Sequence, residues 1–349
     1  MTNKAHSLFL TSIRSFFIAL FSMTGISFGI IPLMIILGLL FSGSSSEPDR
    51  DYNVTILSNA EGVRKVQSKK APVILQLNIE GLIGTNKLNK EKVAQQLIES
   101  REGDLSNDRV KAMLVNLNTP GGTVVDSDGI YRAILAYKKR YNVPVYAYVD
   151  GLCASGGMYI ASAADKIYTS DISLVGSVGV LSPAFLNFSK LMETVGIQAK
   201  TLYEGKGKDD MNPLRPWKPG ETEFFEKIIK YYYDHFVNVV ISARPEIGKE
   251  KLIETYGAQV FPAPAAKENG YTDGAEYSRD QVLRMLLQEI GIEDDYYQVV
   301  TLEEEKWLNK LFEESFNFLQ GGVKHRFDLG PLSDPEFSGQ FLYLYQPEQ

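Results

Sequence analysis

The chain has 349 residues, 44% of them hydrophobic, and a formal net charge of -7. That is enough for one large domain or two smaller ones, and with no long basic run it excludes nucleic acid as an expected partner. The single cysteine, Cys153, rules out an intrachain disulfide, and His6, His235 and His325 form no Cys/His cluster with metal-ligand spacing.

No charged residue lies between Ser15 and Ser46. Within that stretch, residues 16–41 are strongly apolar and long enough to cross a bilayer, with Pro32 tolerable in a membrane helix. Residues 1–15 then form a cytoplasmic N-terminus, because Lys4 and Arg14 precede the span while Glu47, Asp49 and Asp51 follow it. The expected topology is single-pass, with the rest of the chain on the extracytoplasmic side. The sequence "GLLFSGSSS" leaves cleavage of the span open. Residues 42–70 are a polar linker holding one strand-like stretch, "NVTIL".

From Ala71 strands and helices alternate. "PVILQLNIEGLIG" predicts a strand and a glycine turn, "KLNKEKVAQQLIESRE" a helix, "VKAMLVNLN" a strand broken by "TPGG", and "TVVDSDGIYRAILAYKKRY" a helix. "VPVYAYVD" predicts a strand, "GGMYIASAADK" a short helix and "KIYTS" a strand. "SPAFLNFSKLMETVG" predicts a helix and "IQAKTLYEG" a strand. Such alternation implies parallel βαβ units and an α/β fold. After Lys218 the pattern turns helical, in "GETEFFEKIIKYYYDHFVNVVISAR", "KEKLIETYG" and "RDQVLRMLLQEIG". Residues 71–293 are expected to form the domain. Residues 294–349 form an acidic, aromatic tail ending in the strand-like "QFLYLY".

Four places could carry chemistry. Ser155 sits between a predicted strand and a predicted helix, which suits an exposed nucleophile or an ordinary N-cap serine. A serine nucleophile needs a base. His235 lies on a long helix and reads as a packed surface residue, whereas "YEGKGKDDMNPLRPW" offers Lys206 and Lys208. A lysine can serve if its surroundings lower its affinity for the proton, although most lysines are simply solvated. "NTPGG", residues 118–122, turns sharply and frees backbone N–H groups that could hold an oxyanion, or merely joins strand to helix. "LVGSVGV" offers Ser177 as a partner for the base, or is a glycine-bounded strand.

Taken in order, "NTPGG", "ASGGMYIA", "GSVGV" and "KDDMNP" resemble the signal peptide peptidase A (SppA) family of membrane-anchored serine peptidases, and "FLYLY" resembles its closing strand. The resemblance covers roughly residues 73–274. It implies the crotonase/ClpP-like α/β superfold with added C-terminal helices behind an N-terminal transmembrane helix. It implies Ser155 as nucleophile, Lys208 as general base and Ser177 orienting it. The oxyanion hole would come from Gly121, Gly122 and Gly156. It further implies hydrophobic peptide substrates, among them cleaved signal peptides and misfolded envelope proteins. A ring-like homo-oligomer in a bacterial inner membrane is implied as well, with no metal or organic cofactor. The chain departs from the family pattern at Thr119, Cys153 and Met158, and in "GAQVFPAPAAKENG", which lacks the family's arginine. Two other readings stand beside this one. A crotonase-type acyl-CoA enzyme would need no anchor, and a catalytically silent scaffold would bind hydrophobic segments without cutting them.

Overall fold

The structure, a computed structural model, describes residues 52–304 and 340–345 together with 14–18, 20–22, 25 and 33. The chain divides into two units, Met1–Asp49 and Arg50–Gln349. In the first, residues 14–18 are helical and exposed. Most of the expected anchor, residues 16–41, lies outside the described residues. No helix among the described residues is long and apolar enough to cross a membrane.

The second unit is built on an eight-stranded sheet. Its path runs β1 (Tyr52–Ile56), β9 (Gln298–Glu304), β2 (Val73–Glu80), β3 (Val110–Thr119), β5 (Val145–Ala154), β7 (Leu174–Gly176) and β8 (Val260–Pro262), with β6 (Lys166–Thr169) also pairing with β5. Pairing is parallel from β9 through β7 and antiparallel at the two edges, β1 with β9 and β7 with β8. The central strands are buried on both faces, which is why they read as near-continuous apolar runs. Alternation then sorts their side chains. Leu75, Leu77, Ile79, Met113, Val115 and Leu117 join the core under helices α1 (Lys90–Glu99), α2 (Val124–Tyr141) and α5 (Glu223–Ala243). Ile74, Ala112, Leu114, Tyr146 and Tyr148 meet α7 (Arg279–Glu289) on the other face.

A second, two-stranded sheet joins β4 (Gly121–Thr123) to β10 (Leu342–Leu344). The remaining helices are short: α3 (Gly156–Ala161), α4 (Ser189–Thr194) and α6 (Ala263–Glu268).

The sequence reading needs correction in three places. The sheet extends beyond 71–293 on both sides, since β1 lies in the segment taken as linker and β9 in the segment taken as tail. Of the helix expected over 182–196 only Ser189–Thr194 forms, and the strand expected over 197–205 does not form. A strand is held by a neighbouring edge, and this segment finds none, its side chains all being exposed. The helix expected in "KEKLIETYG" does form, with Lys251–Tyr256 wound as a π-helix.

Candidate active site

β5 runs straight into α3 through one residue, Ser155, with φ 55° and ψ -114°. A non-glycine residue at positive φ is costly and is tolerated where the surroundings over-determine it. Two backbone bonds hold this one. The Ser155 N–H donates to the Gly176 carbonyl at 2.9 Å, and the Ser155 carbonyl accepts from the Tyr159 N–H at 3.0 Å. The side chain makes no capping bond to α3, so Ser155 is not an N-cap serine in the usual sense. Its Oγ is buried and has no hydrogen-bond partner among the described residues. A buried hydroxyl without a partner costs free energy, and one poised at a helix N-terminus is available for chemistry.

Small residues make this turn possible. A Cβ on Gly156 would lie 2.4 Å from Ser127 Oγ and 3.2 Å from the Cα of Gly121. A Cβ on Gly157 would lie 2.8 Å from the Thr119 methyl. Gly156 is the first residue of α3, so its N–H has no partner within that helix.

β4 passes alongside. Gly121, at φ +98°, comes so close that a Cβ there would lie 2.7 Å from the Gly156 nitrogen and 2.0 Å from the Tyr343 carbonyl oxygen. The Gly121 N–H donates to Thr119 Oγ1 at 3.0 Å, and that hydroxyl donates to the Gly81 carbonyl at 2.6 Å. Thr119, where the family pattern has serine, thereby braces the turn. Gly122 stands opposite Tyr343. The flanking bonds, Val124 N–H to Phe341 O and Tyr345 N–H to Pro120 O, make Gly122–Tyr343 a hydrogen-bonded pair of the ladder. β10 is also bonded on its other side, because Leu181 and Leu342 exchange N–H···O bonds of 2.9 and 3.0 Å. An extended apolar strand therefore lies between β4 and the segment after Ser177.

Ser177 follows Gly176 at positive φ (57°), is buried, and donates its N–H to the Gln259 carbonyl at 2.7 Å. It borders a groove of about 660 Å³ shared with Gly179, Leu181, Ala258, Leu344 and Tyr345. Ser155, Gly121, Gly122, Gly156 and Ser177 thus gather at one end of the sheet. Lys208 makes no hydrogen bond to any of them. It is exposed, in a turn where its N–H bonds the Gly205 carbonyl at 3.2 Å, and its side chain is not a partner of Ser155 Oγ.

The pattern of peptidase family S49 matches residues 123–292. A protein of Methanocaldococcus jannaschii named as a protease is 32% identical over 221 residues, which cover 63% of this chain and 69% of that one. The chain belongs to peptidase family S49. A protein of Enterococcus faecium named signal peptide peptidase SppA is 27% identical over 73% of this chain and 77% of its own. The chloroplastic serine protease SPPA of Arabidopsis thaliana is 33% identical over 52% of this chain and 26% of its own. These relatives make the chain a serine peptidase. Among solved structures, a ClpP1 of Listeria monocytogenes is similar over 59% of this chain and 94% of its own, at 18% identity and a TM-score of 0.40. The S49 match takes in Ser155, Gly156, Ser177 and Lys208 and stops short of Gly121 and Gly122.

Some neighbours of the site escaped the sequence reading. Tyr159, one turn into α3, stacks on Tyr343 and donates to Asp128 Oδ1 at 2.8 Å. Burial, and then that carboxylate, push its phenol well above the usual tyrosine range. His235 lies 3.7 Å from the same oxygen and does not reach Ser155 Oγ. The only signal for this cluster was the aromatic run around His235, which also suits plain core packing. Cys153 is fully buried two residues before Ser155, and burial pushes its thiol up to about 12, which keeps it inert.

Proposed function

We propose that this S49 chain is a membrane-anchored endopeptidase in which Ser155 is the nucleophile and Lys208 the general base. The observation that carries the reading is the unpartnered Ser155 hydroxyl, held at a strained turn beside the Gly156 N–H. In this mechanism neutral Lys208 takes the Ser155 proton, and Oγ attacks the scissile carbonyl. The developing oxyanion is held by the Gly156 N–H and a donor of the Gly121–Gly122 segment. Gly121 is already bonded to Thr119, so Gly122 is the better placed of the two once a substrate strand replaces β10. Water activated by the same lysine then releases the acyl group. Ser177 steadies the lysine.

Hydrophobic peptides are the proposed substrates, cleaved signal peptides among them. In support, the chain's own Leu342–Leu344 lies extended beside β4 and Leu181. Lys208 is exposed and its side chain makes no hydrogen bond to Ser155 Oγ, which supports a site completed in a ring-like homo-oligomer by the lysine of a neighbouring copy. The apolar span 16–41 holds the assembly in the bacterial inner membrane with the peptidase domain outside. Protease added to intact spheroplasts should digest that domain, and resistance until lysis would refute the topology.

The decisive measurement is labelling by a serine-directed fluorophosphonate, with Ser155→Ala as control. Labelling lost in the variant is expected. The missing hydrogen bond between Lys208 and Ser155 also fits a silent scaffold that binds apolar segments, and an unlabelled wild-type protein would favour it.

A further inference from the structure

Lys208 is followed by two aspartates. A carboxylate beside a base lysine stabilises its ammonium form and so opposes its task. The arm that carries Lys208, residues 197–222, is almost wholly exposed, yet Asp209, Met211 and Glu221 within it are buried. They are buried around one side chain. Arg215 Nε meets Asp209 Oδ2 at 2.6 Å, its Nη2 donates to the Asp209 carbonyl at 2.5 Å, and the same Nη2 meets Glu221 Oε1 at 2.6 Å. Asn212 Nδ2 donates to the other Asp209 oxygen at 2.5 Å. Trp217 Nε1 closes the knot on the Asn212 carbonyl at 3.0 Å. Met211 sits at positive φ (59°) inside it.

We propose that Arg215 is a positioning residue for catalysis: its guanidinium gathers Asp209 and Glu221, turns the carboxylate next to Lys208 away, and offsets its charge. The inference rests on Lys208 being the base. The other charged groups of the arm are Lys200, Glu204, Lys206, Asp210 and Lys218. Among the described residues no other element makes a hydrogen bond or ion pair with the Lys208 side chain. The fork geometry matters, because one planar guanidinium spans a side-chain carboxylate, a backbone carbonyl and a second carboxylate, which an ammonium does not do. Bonds from Arg215 first, and from Asn212 second, hold the Asp209 carboxyl below the usual carboxylate range, so it stays charged and engaged with the fork.

The test is the pH dependence of kcat/KM for a fluorogenic apolar peptide, measured on the full-length protein in detergent. Arg215→Gln should move the acid limb upward by about one pH unit, the scale of a lost charge partner, while the alkaline plateau is kept. Arg215→Lys should move it less. Asp209→Asn should move it downward, and the Arg215→Gln/Asp209→Asn pair should return it toward wild type. An Arg215→Gln protein that loses activity equally at all pH values, with an unmoved limb in Asp209→Asn, overturns the proposal and leaves Arg215 as a plain brace. If Arg215→Gln fails a thermal-melting check of folding, Asp209→Asn alone decides, and an unmoved limb there also overturns it. Lys208→Ala separates the two levels. Retained activity sinks the base assignment together with this inference, whereas an inactive Lys208→Ala beside unmoved limbs sinks only the inference.

Discussion

The end of the sheet that holds Ser155 and the arm that holds Lys208 are built in opposite ways. Around Ser155 the chain is close-packed, with Met158, Tyr159 and Tyr343 fully buried and glycines where backbones touch. The arm and the segment leading into it leave large apolar side chains in the open, with Leu191 61%, Ile197 56% and Leu202 83% exposed. Its order comes from one charged knot rather than from a core. A serine in a strained turn needs a rigid scaffold, and one chain supplies it. Exposed apolar surface on this scale is the kind an interface would bury, which supports the proposal that the base is delivered to another copy.

The comparison is tested first at its two chemical ends. Ser155→Ala and Lys208→Ala should each lower peptide hydrolysis by several orders of magnitude, as loss of a nucleophile or its base does, whereas Lys206→Ala should keep most of it. A fluorogenic peptide assay decides, and an active Lys208→Ala protein would break the assignment.

Mixing comes next. Co-assembled Ser155→Ala and Lys208→Ala proteins should recover activity if each copy lends its lysine to a neighbour. Mixed assemblies no more active than either parent would place both groups in one chain.

Two glycines sharpen the contrast in packing. Gly121 and Gly205 have similar positive φ values, 98° and 105°. A Cβ at Gly121 would strike the Tyr343 carbonyl, while one at Gly205 would meet open space. Gly205→Ala should therefore cost only backbone strain, about 1–2 kcal/mol. Gly121→Ala should cost more and dislodge β10. Thermal unfolding of the two variants measures the difference, and equal losses would contradict the packing argument.

The smallest effect is expected in acid. Bonds from Arg215 hold the Asp209 and Glu221 carboxyls below their ordinary values. Their contribution to the order of the arm is thus complete above the unfolded values, about 4, and is lost as pH falls through the lower folded ones. Trp217 reports on this knot, so in a Trp307→Phe background its fluorescence should change below about pH 4, with the far-ultraviolet signal of the body unaltered. A Trp217 signal that follows global unfolding would mean the arm has no separate order.

Much of this was legible in the sequence because it is local. Alternating apolar strands and periodic helices between Val73 and Gly176 require only neighbouring residues, and they gave the parallel sheet. The strand-to-helix break at Ser155 and the Pro120-Gly121-Gly122 turn are likewise local, since small residues and proline set backbone angles where they stand. The order of the four motifs added the family. Other features depend on residues far apart in the chain. β10 pairs with β4, and β9 enters the sheet beside β2, each pairing joining segments separated by most of the chain. No local pattern encodes which edge a strand will meet. The strand expected over 197–205 failed for the same reason, for want of an edge. Whether Asp209 would face Lys208 was open in the sequence too. In the fold Arg215, six residues on, gathers both Asp209 and Glu221, because a carboxylate takes the strongest donor within reach in three dimensions rather than the nearest charge along the chain.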